Sequence, residues 1–324
     1  MKSTDKNTII HIGMPKAAST SLQQNFFARL PFINFTGGAE NYNSTSNCAF
    51  IKTVHDDELY FDTDKIREEI TRDYDPALPI VLSKEFACGT FLPLSRGIPQ
   101  SRTTIAKRFK ALFPDAKILL IIRNQLKLQK SLYSEFYKHE SRFLNSRMVS
   151  FNKWMELNIK LESEGKQNVY HFADYYSLIT LYKSLFDDVK VVVFEEMTKD
   201  MHGFLENDLC PFIGIDSNEA MPYYIDSIKN SRHTKSGVWA ENITRKTINF
   251  LQNNLGNPQK KIPIEKRKKF MQKVHRFNAS IPFGKINPKY LEKHKDFLTN
   301  YYAKGNRKVS EIIGIDLGKY GYPV

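Results

Sequence analysis

Short, continuous apolar runs alternate along this chain with stretches of helical period. Four runs stand out: Thr8–Gly13 (T-I-I-H-I-G), Pro79–Ser83 (P-I-V-L-S), Lys117–Ile122 (K-I-L-L-I-I) and Val189–Phe194 (V-K-V-V-V-F). Runs this short and this apolar predict strands covered on both faces, as in a parallel sheet. Between them, Leu22, Phe26, Phe27 and Leu30 follow a 3.6-residue period, predicting a helix from Ser19 onward. Further helices are predicted over Lys65–Asp73, Ile105–Phe113, Leu126–Glu140 and Tyr175–Phe186. Residues 34–60, rich in Asn, Ser, Thr and Gly, predict a long loop. The strand–helix alternation predicts an α/β architecture.

Composition adds a core and an asymmetry. Apolar residues make up 41% and charged residues 26% of the 324 positions. That supports a buried core and excludes a disordered chain, a collagen or a disulfide-stapled miniprotein. No run of about 18 apolar residues occurs, so no transmembrane span is expected. The segment M-K-S-T-D-K-N-T is polar, and Ile9–Met14 is too short for a signal-peptide core. Three cysteines, Cys48, Cys88 and Cys210, form no C-x-x-C. They point to a reduced, cytoplasmic protein without structural zinc. Net charge is +13, and residues from Lys229 onward carry it, with 21 basic against 6 acidic side chains. That third is the part suited to an anionic partner. Within it, Ile264–Phe277 is a basic amphipathic stretch with Phe270, Met271, Val274 and Phe277 on one face. It reads as a core helix with a solvated basic face, or as a surface for an acidic glycan or the anionic inner face of a membrane.

Ligands of parallel α/β sheets bind beyond the carboxyl ends of the strands, and three strand ends here carry chemistry. The first is G-M-P-K-A-A-S-T, Gly13–Thr20, between a strand and a helix. Its N–H groups, with Lys16, Ser19, Thr20 and Ser21, suit a phosphate. It fits the Walker A pattern G-x-x-x-x-G-K-[ST] only at its outer positions. Ala18 stands for the second glycine and Ser19 for the lysine, the lysine having moved to Lys16. The second is Arg123, past the apolar strand, with Ser131 in the next helix. A strand-end guanidinium can grip a phosphate in two places at once. The third is Ser83-Lys84-Glu85. His11, on the first strand, reads as a packed, hydrogen-bonded histidine.

Pro15–Leu22, P-K-A-A-S-T-S-L, resembles the 5′-phosphosulfate-binding loop of sulfotransferases, P-K-[ST]-G-[ST]-T, with S-L-Q often following in bacterial members. Ala17 and Ala18 depart from that pattern. These enzymes take the sulfuryl group from 3′-phosphoadenosine 5′-phosphosulfate (PAPS) and release adenosine 3′,5′-bisphosphate. The family's Arg…Ser pair for the 3′-phosphate has the spacing of Arg123 and Ser131. Bacterial and Golgi-type carbohydrate sulfotransferases often use a glutamate as base, in an S-x-E that Ser83–Glu85 match. Cytosolic members use a histidine, for which His55 is the candidate here. Tyr170–Met197 and the tail from Gly305 (G-N-R through I-G-I-D-L-G-K-Y-G-Y-P) also resemble bacterial members.

The resemblance implies a P-loop-type parallel sheet flanked by helices. The pattern after residue 228 turns basic and mostly helical with no clean linker, which predicts one domain over 1–324, with 1–228 the nucleotide-binding core and 229–324 a basic, mostly helical C-terminal extension. Lys16, Ala17, Ala18, Ser19, Thr20, Ser21, Arg123 and Ser131 would hold PAPS. Glu85 would act as base, and Lys16 would stabilise the leaving phosphate without a metal. Lys84, His55 and Ser231, in N-S-R-H-T-K-S-G, are the acceptor-side candidates. The implied acceptor is a hydroxyl, less readily an amine, of a carbohydrate or glycolipid, including an anionic one. No nucleic-acid partner is expected, since no RNA- or DNA-binding signature is visible. Two other readings stay open: a P-loop kinase or NTPase, which would need a lysine at position 19 and Mg²⁺-binding carboxylates, and a polyanion binder without catalysis.

Overall fold

The structure, a computed structural model, describes residues 7–38, 44–90, 100–140, 150–166, 168–226 and 292–324. The chain divides into two compact units. The first comprises Met1–Gln129, Asn158–Ser227 and Lys295–Val324; the second comprises Lys130–Leu157 and Ile228–His294.

The elements follow in the order β1 (Thr8–Gly13), α1 (Ser19–Asn25), β2 (Asn34–Gly37), α2 (Thr45–His55), α3 (Thr63–Thr71) and β3 (Ile80–Glu85). Then come α4 (Arg102–Leu112), β4 (Lys117–Ile122), α5 (Gln125–Glu140), α6 (Phe151–Ser163), α7 (Tyr175–Leu185), β5 (Val189–Val193) and, after several short helices, α8 (Lys295–Ile313). The five strands form one sheet in the order β2-β3-β1-β4-β5. Every pairing is parallel. This is the expected α/β architecture, and the four apolar runs are its strands β1, β3, β4 and β5.

β1 and β4 lie inside the sheet, and all six residues of β1 are buried. Ile118–Ile122 of β4 are likewise fully buried. Burying side chains of this size stabilises the fold by about 1.5–3 kcal/mol each. Gly13 closes β1 at a point where only glycine fits: a Cβ there would stand 2.3 Å from the carbonyl oxygen of Lys84. That close approach lets Phe86 donate its N–H to the Gly13 carbonyl, 2.8 Å away.

Two expectations are corrected. Residues 34–60 are not a long loop, because they hold the edge strand β2 and the helix α2. The polar residues that read as loop are caps and buried partners. The Ser44 hydroxyl caps α2 by accepting from the Asn47 N–H, and Asn47 is itself buried. The helix from Ser19 is also shorter than its period implied. Leu22, Phe26, Phe27 and Leu30 are all buried as expected, but α1 ends at Asn25. Ile225 takes the Asn25 carbonyl there (3.1 Å). Phe26 leaves helical geometry, and Phe27 turns to meet Phe35 of β2 with ring centroids 5.9 Å apart.

The second unit is described only in part. Tyr133, Phe151 and Trp154 form an aromatic cluster, with Tyr133 5.2 Å from Phe151 and 5.6 Å from Trp154. Lys293 pairs with Glu156 at 2.9 Å. The basic stretch Ile264–Phe277 and Ser231 lie outside the described residues.

Candidate functional site

The carboxyl ends of β3, β1 and β4, three adjacent strands, bring most of the expected residues to one edge of the sheet. The loop after β1 turns on an alternation of backbone hand. Lys16 (φ 64°) and Ala18 (φ 62°) are left-handed, while Ala17 between them keeps an ordinary negative φ. Such alternation turns backbone N–H groups toward a common concavity that suits an anion. Ala18 adopts the left-handed conformation for which glycine is the usual residue. Ala17 and Met14 are buried and anchor the loop. The Ser19 hydroxyl bonds the Met14 carbonyl at 3.3 Å, so it closes the loop rather than facing outward. Lys16, Thr20 and Ser21 remain half-exposed at the mouth.

Arg123 stands three residues beyond Leu120, which pairs with Ile12 of β1. Its Nη1 donates to the Lys16 carbonyl at 2.5 Å, tying the end of β4 to the loop. The guanidinium lies 4.5 Å from the Phe194 ring centre, a cation–π contact. Ser131 lies on α5 within the second unit, whereas Arg123 belongs to the first.

Glu85 is the last residue of β3 and pairs with Gly13, where the loop begins. It is half-buried, as is Lys84, whose Nζ donates to Asn47 Oδ1 at 3.0 Å. His55 is not brought to this edge by its helix. It ends α2, eight residues and so about 12 Å of helix from Asn47. Arg108 closes that far end by donating to the carbonyls of Thr53 (3.2 Å) and Asp56 (2.8 Å).

Behind the loop, His11 is fully buried, as expected for a packed histidine. Its Nδ1 is 2.7 Å from the Ser83 hydroxyl. Gln23 of α1 donates to the same hydroxyl and to the Ser83 carbonyl, both at 3.0 Å. Burial lowers the His11 pKa to about 4, so the ring is neutral. Ser83 thus serves to lock β1 and α1 onto β3, next to Glu85.

The sequence reading missed the residues that hold Arg123. The Tyr175 hydroxyl donates to the Arg123 carbonyl (2.7 Å) and accepts from its N–H (3.2 Å). Burial raises the pKa of this phenol well above its ordinary value. Glu195 accepts from the Asn124 N–H at 3.1 Å. The one available signal was position: Phe194 and Glu195 directly follow β5 as Arg123 directly follows β4.

Among the described residues no group of three His, Cys, Asp or Glu is placed to hold a metal ion. No helix among them is long and apolar enough to cross a membrane.

No family model matches the sequence, and neither does any curated protein. Among solved structures, a sulfotransferase from Alicyclobacillus acidocaldarius is similar over 97% of this chain and 98% of its own, at 14% identity and a TM-score of 0.54. The mouse sulfotransferase SULT7A1, solved in complex with PAP, aligns over 92% of this chain and 84% of its own, at 14% identity and a TM-score of 0.37. The chain therefore has the fold of the bacterial sulfotransferase, a parallel sheet of P-loop type with flanking helices.

Proposed function

We propose that the protein is a PAPS-dependent sulfotransferase acting on a hydroxyl of a carbohydrate or glycolipid. One observation carries the reading. Arg123, at the end of β4, reaches across to the Lys16 carbonyl, so a guanidinium and the lysine-bearing loop, from adjacent strand ends, share one edge. A nucleotide carrying both a 5′-phosphosulfate and a 3′-phosphate needs two such positions. The family resemblance assigns the 5′ end to the loop from Lys16 to Ser21, and the 3′-phosphate to Arg123 with Ser131.

The reaction is an in-line displacement at sulfur. The acceptor oxygen forms a bond to sulfur while the bond from sulfur to the 5′-phosphate oxygen breaks. Glu85, beside Gly13, takes the acceptor proton, and adenosine 3′,5′-bisphosphate leaves with the bond's electron pair. Lys16 faces the charge that develops on the leaving oxygen, where one fixed donor is typically worth about 3–4 kcal/mol. Lys84, adjoining Glu85, would meet an anionic acceptor. The three free cysteines fit a reducing compartment, the cytoplasm.

Calorimetric titration with adenosine 3′,5′-bisphosphate, AMP and ATP, each with and without Mg²⁺, tests the donor site. Selective, metal-independent binding of the bisphosphate, weakened in Arg123→Ala, is expected. Preference for Mg²⁺–ATP would turn the reading to a kinase. Absence of nucleotide binding would turn it to a polyanion binder.

A further inference from the structure

We propose that Glu195 and Tyr322 are positioning residues for the donor site. They fix the backbone from which Arg123 projects, and so set the affinity for a nucleotide's 3′-phosphate without touching it. This rests on the assignment of Arg123 above.

Arg123, Asn124 and Gln125 form the turn from β4 into α5, and each is held by residues distant in sequence. The Tyr175 hydroxyl takes both backbone groups of Arg123. Asn124 gives its N–H to the Glu195 carboxylate and its side-chain N–H to the Tyr320 carbonyl (3.2 Å). Its Oδ1 meanwhile accepts from the Lys127 N–H (3.1 Å), capping α5. Gln125 and Asn306 of α8 exchange amide hydrogen bonds at 2.8 and 3.2 Å. Asn306 in turn donates to the Pro323 carbonyl at 2.6 Å. The Tyr322 hydroxyl donates to Glu195 Oε2 at 2.9 Å, the same carboxylate that holds Asn124.

The C-terminal segment 320–323 is therefore strapped across the strand end. Gly321 makes the strap possible. Its left-handed backbone (φ 75°) lets the chain turn between Tyr320 and Tyr322 so that both reach the same turn. Phe194, under the guanidinium, immediately precedes Glu195. One short stretch after β5 thus supports the Arg123 side chain through Phe194 and the adjoining backbone through Glu195. Carboxylate hydrogen bonds are among the stronger ones, and Glu195 accepts from both Asn124 and Tyr322. Removing the Tyr322 hydroxyl leaves its buried ring in place and frees one side of that carboxylate. Asn124 and Arg123 can then drift from the phosphate-binding geometry.

The test uses full-length Tyr322→Phe and Glu195→Gln, with Arg123→Ala as reference. Calorimetry gives Kd for adenosine 3′,5′-bisphosphate and for AMP, which lacks the 3′-phosphate. A thermal melt of each variant reports folding. Residues that act through others commonly shift such couplings by factors of about 2–30, so the bisphosphate Kd should rise about 3- to 30-fold with AMP affinity within about twofold of wild type. Equal weakening of both ligands, or no weakening of either, overturns the inference. If Glu195→Gln fails to fold, Tyr322→Phe alone decides. If wild type does not prefer the bisphosphate to AMP, the donor-site assignment itself falls and the inference with it. If wild type and Arg123→Ala behave as expected while Tyr322→Phe keeps its selectivity, only the positioning role falls.

Discussion

Replacing Ala18 by glycine should stabilise the protein, against the usual direction of Ala→Gly changes. Ala18 sits at φ 62°, ψ 14°, in the left-handed region. An L-residue there is disfavoured by roughly 1–2 kcal/mol relative to its preferred conformations, chiefly through its Cβ. Glycine removes that penalty but adds freedom to the unfolded chain, a loss of about 0.4–1 kcal/mol. The balance is a gain of about 0.5–1 kcal/mol. Ala18 makes no side-chain hydrogen bond as the residue before α1, so the methyl carries little else. Ala28 is the control, being exposed and at ordinary negative φ in the turn Phe27–Arg29. Ala28→Gly should lose about 0.5–1 kcal/mol. Urea unfolding of the two variants and wild type, at matched m-values, separates them: Ala18→Gly moves the midpoint up and Ala28→Gly moves it down. Equal downward shifts would show that the loop is not left-handed at 18 and would refute the argument. Lys16 has the same backbone hand, but its side chain belongs to the proposed chemistry and cannot serve.

Glu85→Gln should lower kcat about 10²- to 10⁴-fold while leaving bisphosphate affinity intact. His55→Asn should stay within about twofold of wild type, since His55 ends α2 far from Asn47 and lies at an end closed by Arg108. Near-normal turnover in Glu85→Gln, or its loss in His55→Asn, would exchange the two assignments. Stability should also fall in acid because of His11. Its pKa is 6.5 in the unfolded chain and about 4 when buried, so above pH 6.5 it is neutral in both states and contributes no slope. Between pH 6.5 and 4 the unfolded chain takes up a proton that the folded protein refuses. Stability then falls by about 1.4 kcal/mol per pH unit, reaching about 3 kcal/mol by pH 4. His11→Gln should flatten that part of the stability–pH curve, and an unchanged slope would contradict the assignment.

What could be read from the chain alone was what local pattern controls. A run of five apolar residues, I-L-L-I-I in β4, has no exposed face, so β4 and its parallel neighbours were legible without coordinates. The turn between β1 and α1 was legible as a candidate phosphate loop because small residues and a cation stand there between a strand and a helix. The β2–α2 region was not legible, because Asn and Ser cap and bury themselves with the same residue types that make loops. Nor could local pattern show that Arg123 crosses to the Lys16 carbonyl, or that Glu85 pairs with Gly13. Both depend on strand order, which puts β3 and β4 on either side of β1. Lys16 and Arg123 are 107 residues apart in sequence, and Asn124 and Tyr320 are 196 apart. The residue types at the strand ends were set by the sequence, while their neighbours, and therefore their geometry, were decided by the sheet and by the tail that closes on it.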